Sequence, residues 1–516
     1  MFDLLDKQLL STISPSGRKA RHSLPGVFAG LVRGEIASFS SLRSHQRLVW
    51  HAFLVQVATL ALERGGARTL PDGERDWRDL LTRLTPDWPD GEPWSLVGGD
   101  ATTPALMQAP VPGGNLAAFR RIDTPDGLDM LVTSKNHDLK RERMWNCEPE
   151  DWLYALISLQ TQEGIMGGGK YGISRMNGGF GSRCMIGIDY AGDPCFRFRR
   201  DVAKLRSLPN GRGAPQGFRR DRISLVWLEP WDGAAQIAFA DLHPLYVEIC
   251  RRVRLRNEND RIHALETVSS KARIACPDDL KGNTGDPWTP VSVEGKAFSV
   301  SRVGFSYRRV CELLDSEKFR LPVLAQACSE DRKDGMAFVA QAVCRGQGKT
   351  EGYHERRLAL GQFLGSDDFT AVARRRVEAM QELKMAFRLA LFVLAQGGPD
   401  KVAADRDTTK RFVEPCLERF ESGVDQTFFE DVKKELSAPE ADRDSIFQSW
   451  LESQLMHAQT LLIASHQSMP HPAGRRYQAR AQAGLAFRAR LSKAPPFEFV
   501  FKAQENRETE NELRRQ

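Results

Sequence analysis

FTAVARRRVEAMQELKMAFRLALFVLA, residues 369–395, runs for roughly seven helical turns without a proline or glycine. Gly397-Gly398-Pro399 then stops it. Three segments of similar texture follow at 410–436, 442–468 and 474–492, with Pro470 and Pro472 after the second and Pro495-Pro496 after the third. Pro415 and Gly423 are placed to kink or break the first of these three. Four amphipathic segments with short joints predict an antiparallel four-helix bundle over residues 363–516.

Upstream the texture changes. Residues 1–362 mix short apolar runs with Gly, Pro, Asn and Asp. Residues 42–63 predict a buried helix, with Leu48, Ala52, Val55 and Leu62 at helical spacing. Residues 76–84 and 148–162 predict two more. Residues 223–229 and 235–239 predict two strands joined through Pro230, Asp232 and Gly233, and 246–256 a third. The expected fold class is therefore α+β: a large mixed N-terminal domain with a glycine-rich loop region, residues 1–362, followed by the bundle.

The 516 residues are 41% apolar and 27% charged, which suits a folded chain with a real core. No apolar run approaches the roughly 20 residues of a membrane-spanning helix. The opening MFDLLDKQLL puts acids before bases and lacks a secretory pattern, so a cytoplasmic protein is expected. Nine scattered cysteines form no CxxC pair, which argues against a disulfide framework and a cysteine-bound zinc. No metal and no cofactor are expected. Lys plus Arg number 73 against 67 Asp plus Glu, a net +6 that permits polyanion binding without demanding it.

Catalytic signatures are missing. The sequence has neither HExxH nor GxSxG. Gly348-Lys349-Thr350 matches the end of a P-loop, but the leading glycine position holds Val343. The most unusual stretch is GIMGGGKYGISRMNGGFGSR, residues 164–183, with eight glycines in 20 residues. Bare backbone there, interleaved with Lys170, Arg175 and Arg183 and with Tyr171 and Phe180, suits close approach to a phosphate backbone. Just upstream, Lys135-Asn136-His137-Asp138-Leu139-Lys140-Arg141-Glu142-Arg143 carries four basic residues in nine. Further basic clusters stand at 197–206, 212–222 and 251–256. Several basic clusters with no catalytic set favour a nucleic-acid binder.

The order of features resembles a known family. Phe2-Asp3-Leu4-Leu5 is similar to its opening strand. Ser23-Leu24-Pro25, the helix at 42–63 and Pro104-Ala105-Leu106-Met107-Gln108 follow in its order. Then come the basic loop, GGGKYGISRMNGG, the Trp227–Trp231 region, Gly285–Val291 (GDPWTPV), Glu355-Arg356-Arg357 and the terminal bundle. The chain resembles CasA, the large subunit of the type I-E CRISPR surveillance complex, Cascade, over nearly its full length.

That resemblance implies a non-catalytic subunit that binds double-stranded target DNA and reads the protospacer-adjacent motif from the minor groove. It implies a role in starting strand separation and R-loop formation, and recruitment of a helicase–nuclease effector. The implied partners are the guide RNA, target DNA, the other Cascade subunits and that effector, with no membrane. The family's glycine loop falls on Gly167, Gly168 and Gly169, with Lys170 beside them. Its minor-groove lysine falls on Lys271. Its glutamine wedge falls on Gln347, with Lys349 as a rival tip residue. The loop that meets the RNA handle or the DNA backbone falls on Lys135, Asn136, His137, Lys140, Arg141 and Arg143. Some relatives hold a cysteine-bound zinc, for which this chain has no cysteine cluster. Two other readings stand beside this one: an enzyme that binds nucleotide phosphates with its glycine-rich loops, and a non-catalytic scaffold with solvated basic loops.

Overall fold

A computed structural model of the chain describes residues 2–129, 144, 146–176, 183–190, 193–208, 216–328, 331, 335–346, 349–399, 402–403, 407–470 and 473–501. The chain packs as two compact units. Met1–Phe305 with Asp315–Gln362 form the first, and Ser306–Leu314 with Phe363–Gln516 the second. The short helix Tyr307–Leu314, drawn from mid-chain, is thus part of the helical unit.

The centre of the first unit is the helix Arg47–Gly65. Its apolar residues cover every side rather than one stripe, so from Leu48 to Leu62 all but His51 are buried. Helices Glu74–Leu84, Pro149–Gln162 and Pro194–Arg206 pack around it. The helix Leu24–Arg33 opens on Ser23, whose hydroxyl accepts the Gly26 N–H at 3.0 Å. It closes on Gly34, whose φ of +81° suits a residue without a Cβ. Small antiparallel sheets accompany this core, two of which matter for the site. One runs in the order Lys349–Leu358, Met336–Gly346, Met185–Tyr190; the other in the order Arg120–Ile122, Arg261–Thr267, Arg252–Glu258.

Several expected strands are corrected. Leu4 and Leu5 are buried in a turn, and only Asp3 makes a single bridge, to Ser95. Residues 223–229 and 235–239 do not pair with each other. Ile223–Leu225 runs parallel to Leu242–Val247, and Ile237–Ala238 parallel to Ile274–Ala275. The span 246–256 is not one strand: Leu242–Val247 ends and Arg252–Glu258 begins after a break. Gln160 holds that break. Its Oε1 accepts the N–H groups of Cys250 and Arg251 at 2.9 and 2.8 Å, and its Nε2 donates to the Arg251 and Met107 carbonyls. A buried side-chain amide thus takes the place of a neighbouring strand.

In the second unit the helices are Asp367–Ala395, Asp407–Ser437, Glu440–Ser465 and Arg476–Leu491. Cross-helix pairs give an antiparallel order. Arg376 meets Glu435 while Phe387 meets Phe420; Phe428 meets Trp450 while Phe420 meets His457; Glu382 meets Arg490. Pro415 stands inside the second helix without ending it. Gly423 allows the close approach of the third: a Cβ there would lie 2.5 Å from His457 Nε2. The α+β class and the C-terminal helical bundle are therefore as the sequence predicts.

Candidate nucleic-acid interface

Three loops far apart in sequence converge in the first unit. The first is the turn Gly167–Lys170, closed by the Lys170 N–H donating to the Gly167 carbonyl at 3.1 Å and the Met166 N–H to the Lys170 carbonyl at 2.9 Å. The second is 268–271. The Ser269 N–H donates to the Gly169 carbonyl at 2.9 Å, and the Tyr171 hydroxyl to the Ser270 carbonyl at 2.9 Å. The third is 232–235. Gly233 takes a φ of +94°, and its carbonyl accepts the N–H groups of Ser270 (2.7 Å) and Lys271 (3.2 Å). Asp232 shapes that turn by accepting the Ala234 and Ala235 N–H groups, each at 2.8 Å. These hydrogen bonds hold its carboxyl below its ordinary pKa. The glycine loop and Lys271, about one hundred residues apart, are thereby neighbours.

The three glycines differ in what the fold asks of them. Gly167 has a φ of +122° and Gly169 of +80°. A Cβ on Gly169 would lie 2.8 Å from the Val268 Cβ. Gly168 is exposed, lies outside the left-handed region and has nothing within 4 Å of a would-be Cβ. Turn geometry and packing explain Gly167 and Gly169; they do not explain Gly168. Lys170 donates to Glu266 Oε2 at 2.7 Å and so pins the turn to the sheet. Lys271 is exposed and makes no ion pair among the described residues. A cleft of about 840 Å³ opens beside these loops, with Tyr171 and Met176 on one wall and Lys281 and Lys296 among its lining.

Beneath the turn the chain is anchored, not solvated. Arg175 and Arg183, which the sequence offers as phosphate contacts, are both buried. Arg175 donates to Glu248 at 3.1 Å and to the Tyr246 carbonyl at 2.9 Å, and lies 4.2 Å over the Tyr246 ring. Arg183 makes a two-pronged bond to Asp286, each prong 2.5 Å. Burial pushes the Asp286 carboxyl up, but the Arg183 guanidinium outweighs it and holds it below the usual range. Burial dominates at Glu248 and raises its carboxyl.

Two of the other basic clusters of this unit, 251–256 and 197–206, are corrected in the same way. Arg254 donates to the carbonyls of Asp100, Thr103 and Gln108, and Arg256 to those of Gly98 and Gly99. The two residues alternate along a strand that faces a carbonyl-rich loop. Burial pushes the Arg254 guanidinium down to about 10. Arg251 caps the Gly164 carbonyl at 2.8 Å. On the helix Pro194–Arg206, Arg199 and Arg206 donate to backbone carbonyls, and Arg200 binds Asp331 at 2.8 Å. Period-two arginines on a strand were the available sign that these cations point inward.

Arg200 and Tyr190 outweigh burial at Asp331 and bring its carboxyl down to about 2. A depressed folded pKa supplies stability that is complete above the unfolded value, near 4, and is lost as pH falls towards 2. Asp331→Asn should flatten the fall in melting temperature between pH 4 and pH 2; an unchanged slope would show that the pair carries no pH-linked stability.

Of the remaining expected residues, Lys135, Asn136, His137, Lys140, Arg141, Arg143 and Gln347 lie outside the described residues. Lys349 is placed through its backbone, opposite Gly346 at the tip end of the hairpin Met336–Gly346 and Lys349–Leu358. That hairpin removes the context a P-loop needs, because Lys349 opens a strand and not a helix. Midway along the hairpin, where Tyr353 stands opposite Val343, the Tyr353 hydroxyl lies 2.5 Å from Glu355 Oε2 and 3.2 Å from the Ser44 carbonyl. Asp232, Gly233 and Ser269, which sequence reasoning did not select as site residues, complete the surface. The Asp-Gly pair was their only signal. Among the described residues no cluster of three or more metal-ligating side chains occurs, and no helix is long and apolar enough to cross a membrane.

No protein-family model matches the chain, and no curated protein does. Solved structures do. Thermus thermophilus CasA matches at 14% identity, covering 95% of this chain and 99% of that one with a TM-score of 0.64. Thermobifida fusca Cse1 matches at 12% identity, covering 96% and 98% with a TM-score of 0.58. A chain of a CRISPR RNA-guided surveillance complex matches at 12% identity, covering 94% and 99% with a TM-score of 0.55. Both units, the three converging loops and the terminal bundle thus belong to a chain that has, over nearly all its length, the fold of the Cse1 (CasA) proteins.

Proposed function

We propose that this chain is the large subunit of a type I-E CRISPR RNA-guided surveillance complex, a cytoplasmic, non-catalytic reader of double-stranded DNA. The observation that carries the reading is Gly168: exposed backbone at the head of a turn pinned by Gly169 to Ser269 and by Lys170 to Glu266, with Lys271 alongside. A narrow minor groove admits backbone more readily than side chains, and its donor–acceptor code is degenerate. A permissive protospacer-adjacent motif follows. Gly167, Gly168 and Gly169 face base edges, Lys271 meets the strand backbone, and Lys170 holds the turn.

The hairpin tip, with Gln347 and Lys349, opens the first base steps, at a cost of a few kcal/mol per step. Guide–target pairing then offsets the lost DNA pairing. Lys135, Asn136, His137, Lys140, Arg141 and Arg143 meet the guide-RNA handle or DNA backbone, and the assembled complex recruits the helicase–nuclease. The test is selection of randomised flanks beside a matched protospacer, using guide-loaded complex with and without this chain. Enrichment of particular flanks only when the chain is present is expected. Identical enrichment without it overturns the motif reading and leaves a scaffold.

A further inference from the structure

The hairpin Met336–Gly346 and Lys349–Leu358 is supported unevenly along its length. Its first strand pairs with Met185–Tyr190 from Met336 to Gln341, and that pairing ends there. The two strands run on as a ribbon, with Ala342 opposite His354, Val343 opposite Tyr353 and Cys344 opposite Gly352. Up to this level the hairpin is fastened. Gln341 Nε2 donates to Glu355 Oε2 at 2.9 Å, and Arg357 reaches across the sheet to Asp189. The Tyr353 hydroxyl, one pair short of Cys344 and Gly352, meets the Ser44 carbonyl at 3.2 Å. His354, on the other face, packs over Gly304, where a Cβ would collide with its ring.

One step further the ladder breaks its register. Arg345 stands opposite Thr350, and Gly346 opposite Lys349. Glu351 is therefore an extra residue with no counterpart on the first strand, which makes a β-bulge. Gly352 beside it takes a φ of +155°, a value open to glycine and seldom adopted by residues with a Cβ. A bulge bends its strand and raises the local twist. Among the described residues no third strand pairs with the ribbon here, so the bend passes undamped into the tip. Two residues separate Gly346 from Lys349 whether or not Glu351 is present, so closing the hairpin does not call for the bulge. The fastened stem thus ends at Gly352, and all that lies beyond Glu351 leaves in the direction the bulge sets.

We infer that the bulge aims the hairpin, with Glu351 and Gly352 as positioning residues that set where the tip meets the duplex, an inference that rests on the reading that this tip opens the first base steps. A wedge enters a stack only along the gap between two base planes. Misplacing a positioned group by about 1 Å can cost on the order of 100-fold in rate. A tip carried on an unbent ladder would arrive off that line, while the glycine turn at 167–170, in a different loop, would still meet the flank.

The test uses the guide-loaded complex and a target duplex carrying 2-aminopurine in the first base pairs of the protospacer, whose fluorescence rises as bases unstack. Deletion of Glu351 restores an unbroken register. Gly352→Ala keeps the residue count and opposes the backbone conformation beside the bulge. Both variants should select flanks as the wild type does. Opening should slow roughly 10- to 100-fold in the deletion and by a smaller factor in Gly352→Ala. The same target with its first base pairs mismatched, and so already open, should return the deletion variant to the wild-type rate of guide pairing. Opening of the intact duplex at the wild-type rate by both variants overturns the inference. A defect that persists on the mismatched target also overturns it, because the damage then lies in folding or assembly and not in aim. Gln347→Ala/Lys349→Ala separates this inference from the reading beneath it. Wild-type opening by that variant defeats both, since the tip is then no wedge. Slow opening by that variant with normal opening by the deletion defeats the aiming role alone.

Discussion

Gly168→Asp in the guide-loaded complex should abolish selection among flanking sequences while leaving the protein's melting temperature within about 2 °C of wild type. The stability half follows from geometry. Gly168 is exposed, its φ lies outside the left-handed region, and open space surrounds its would-be Cβ. The binding half follows from charge. A carboxylate brought against a phosphate backbone costs several kcal/mol, enough for a loss of tenfold or more. Gly169→Ala is the control with the opposite pattern. Its φ of +80° and the 2.8 Å approach to Val268 Cβ make any side chain strained. It should cost about 1–3 kcal/mol of stability, seen as a lower melting temperature, and loosen the turn from Ser269. Gly168→Ala should melt like wild type and still impair selection, since one methyl group blocks close backbone approach. Normal flank enrichment by Gly168→Asp would remove the turn from the reading surface.

The contrast among these glycines shows where sequence reading reaches and where it stops. The run 369–395 could be read because helical period, absence of breakers and the Gly397-Gly398-Pro399 stop all agree. The same held for 148–162, where Pro149 and the Glu148–Asp151 cap mark the start. The strands at 223–256 failed because their pairing is decided at long range. A one-residue signal, Gln160 from a distant helix, breaks what alternation alone would continue. The basic clusters misled for a related reason. Arg254 and Arg256 look like a solvated patch in sequence, yet the loop 98–109 brings carbonyls to them from about 150 residues away. Density of charge in sequence was therefore a poor guide, and the pairing of that charge in space a better one.

Arg183→Met should be the most damaging single change beneath the candidate interface. It leaves Asp286 buried with the Thr289 hydroxyl at 2.8 Å, the Trp288 N–H at 3.4 Å and a long Arg175 contact at 3.9 Å for partners. Breaking one side of a buried pair costs about 3–5 kcal/mol, which in a unit of this size lowers the melting temperature by roughly 5–15 °C. The pH dependence has a defined sign. In the wild type Arg183 holds the Asp286 carboxyl below its ordinary pKa, so the pair's contribution is present at neutral pH and lost only as pH falls through that depressed value. Without Arg183 burial dominates and the carboxyl pKa rises. The variant's deficit should then shrink between pH 7 and pH 5, as the stranded carboxylate takes up a proton. Arg183→Met/Asp286→Leu should recover a large part of the loss, since apolar replacement of a whole buried pair is tolerated far better than removal of one partner. Flank selection by the double variant distinguishes two roles for this pair. Recovery of selection with stability means that it only holds the fold under the turn. Recovered stability without selection means that the charges themselves set the field at the groove-facing surface. A single variant as stable as wild type at pH 7 would contradict the pairing from which both outcomes are derived.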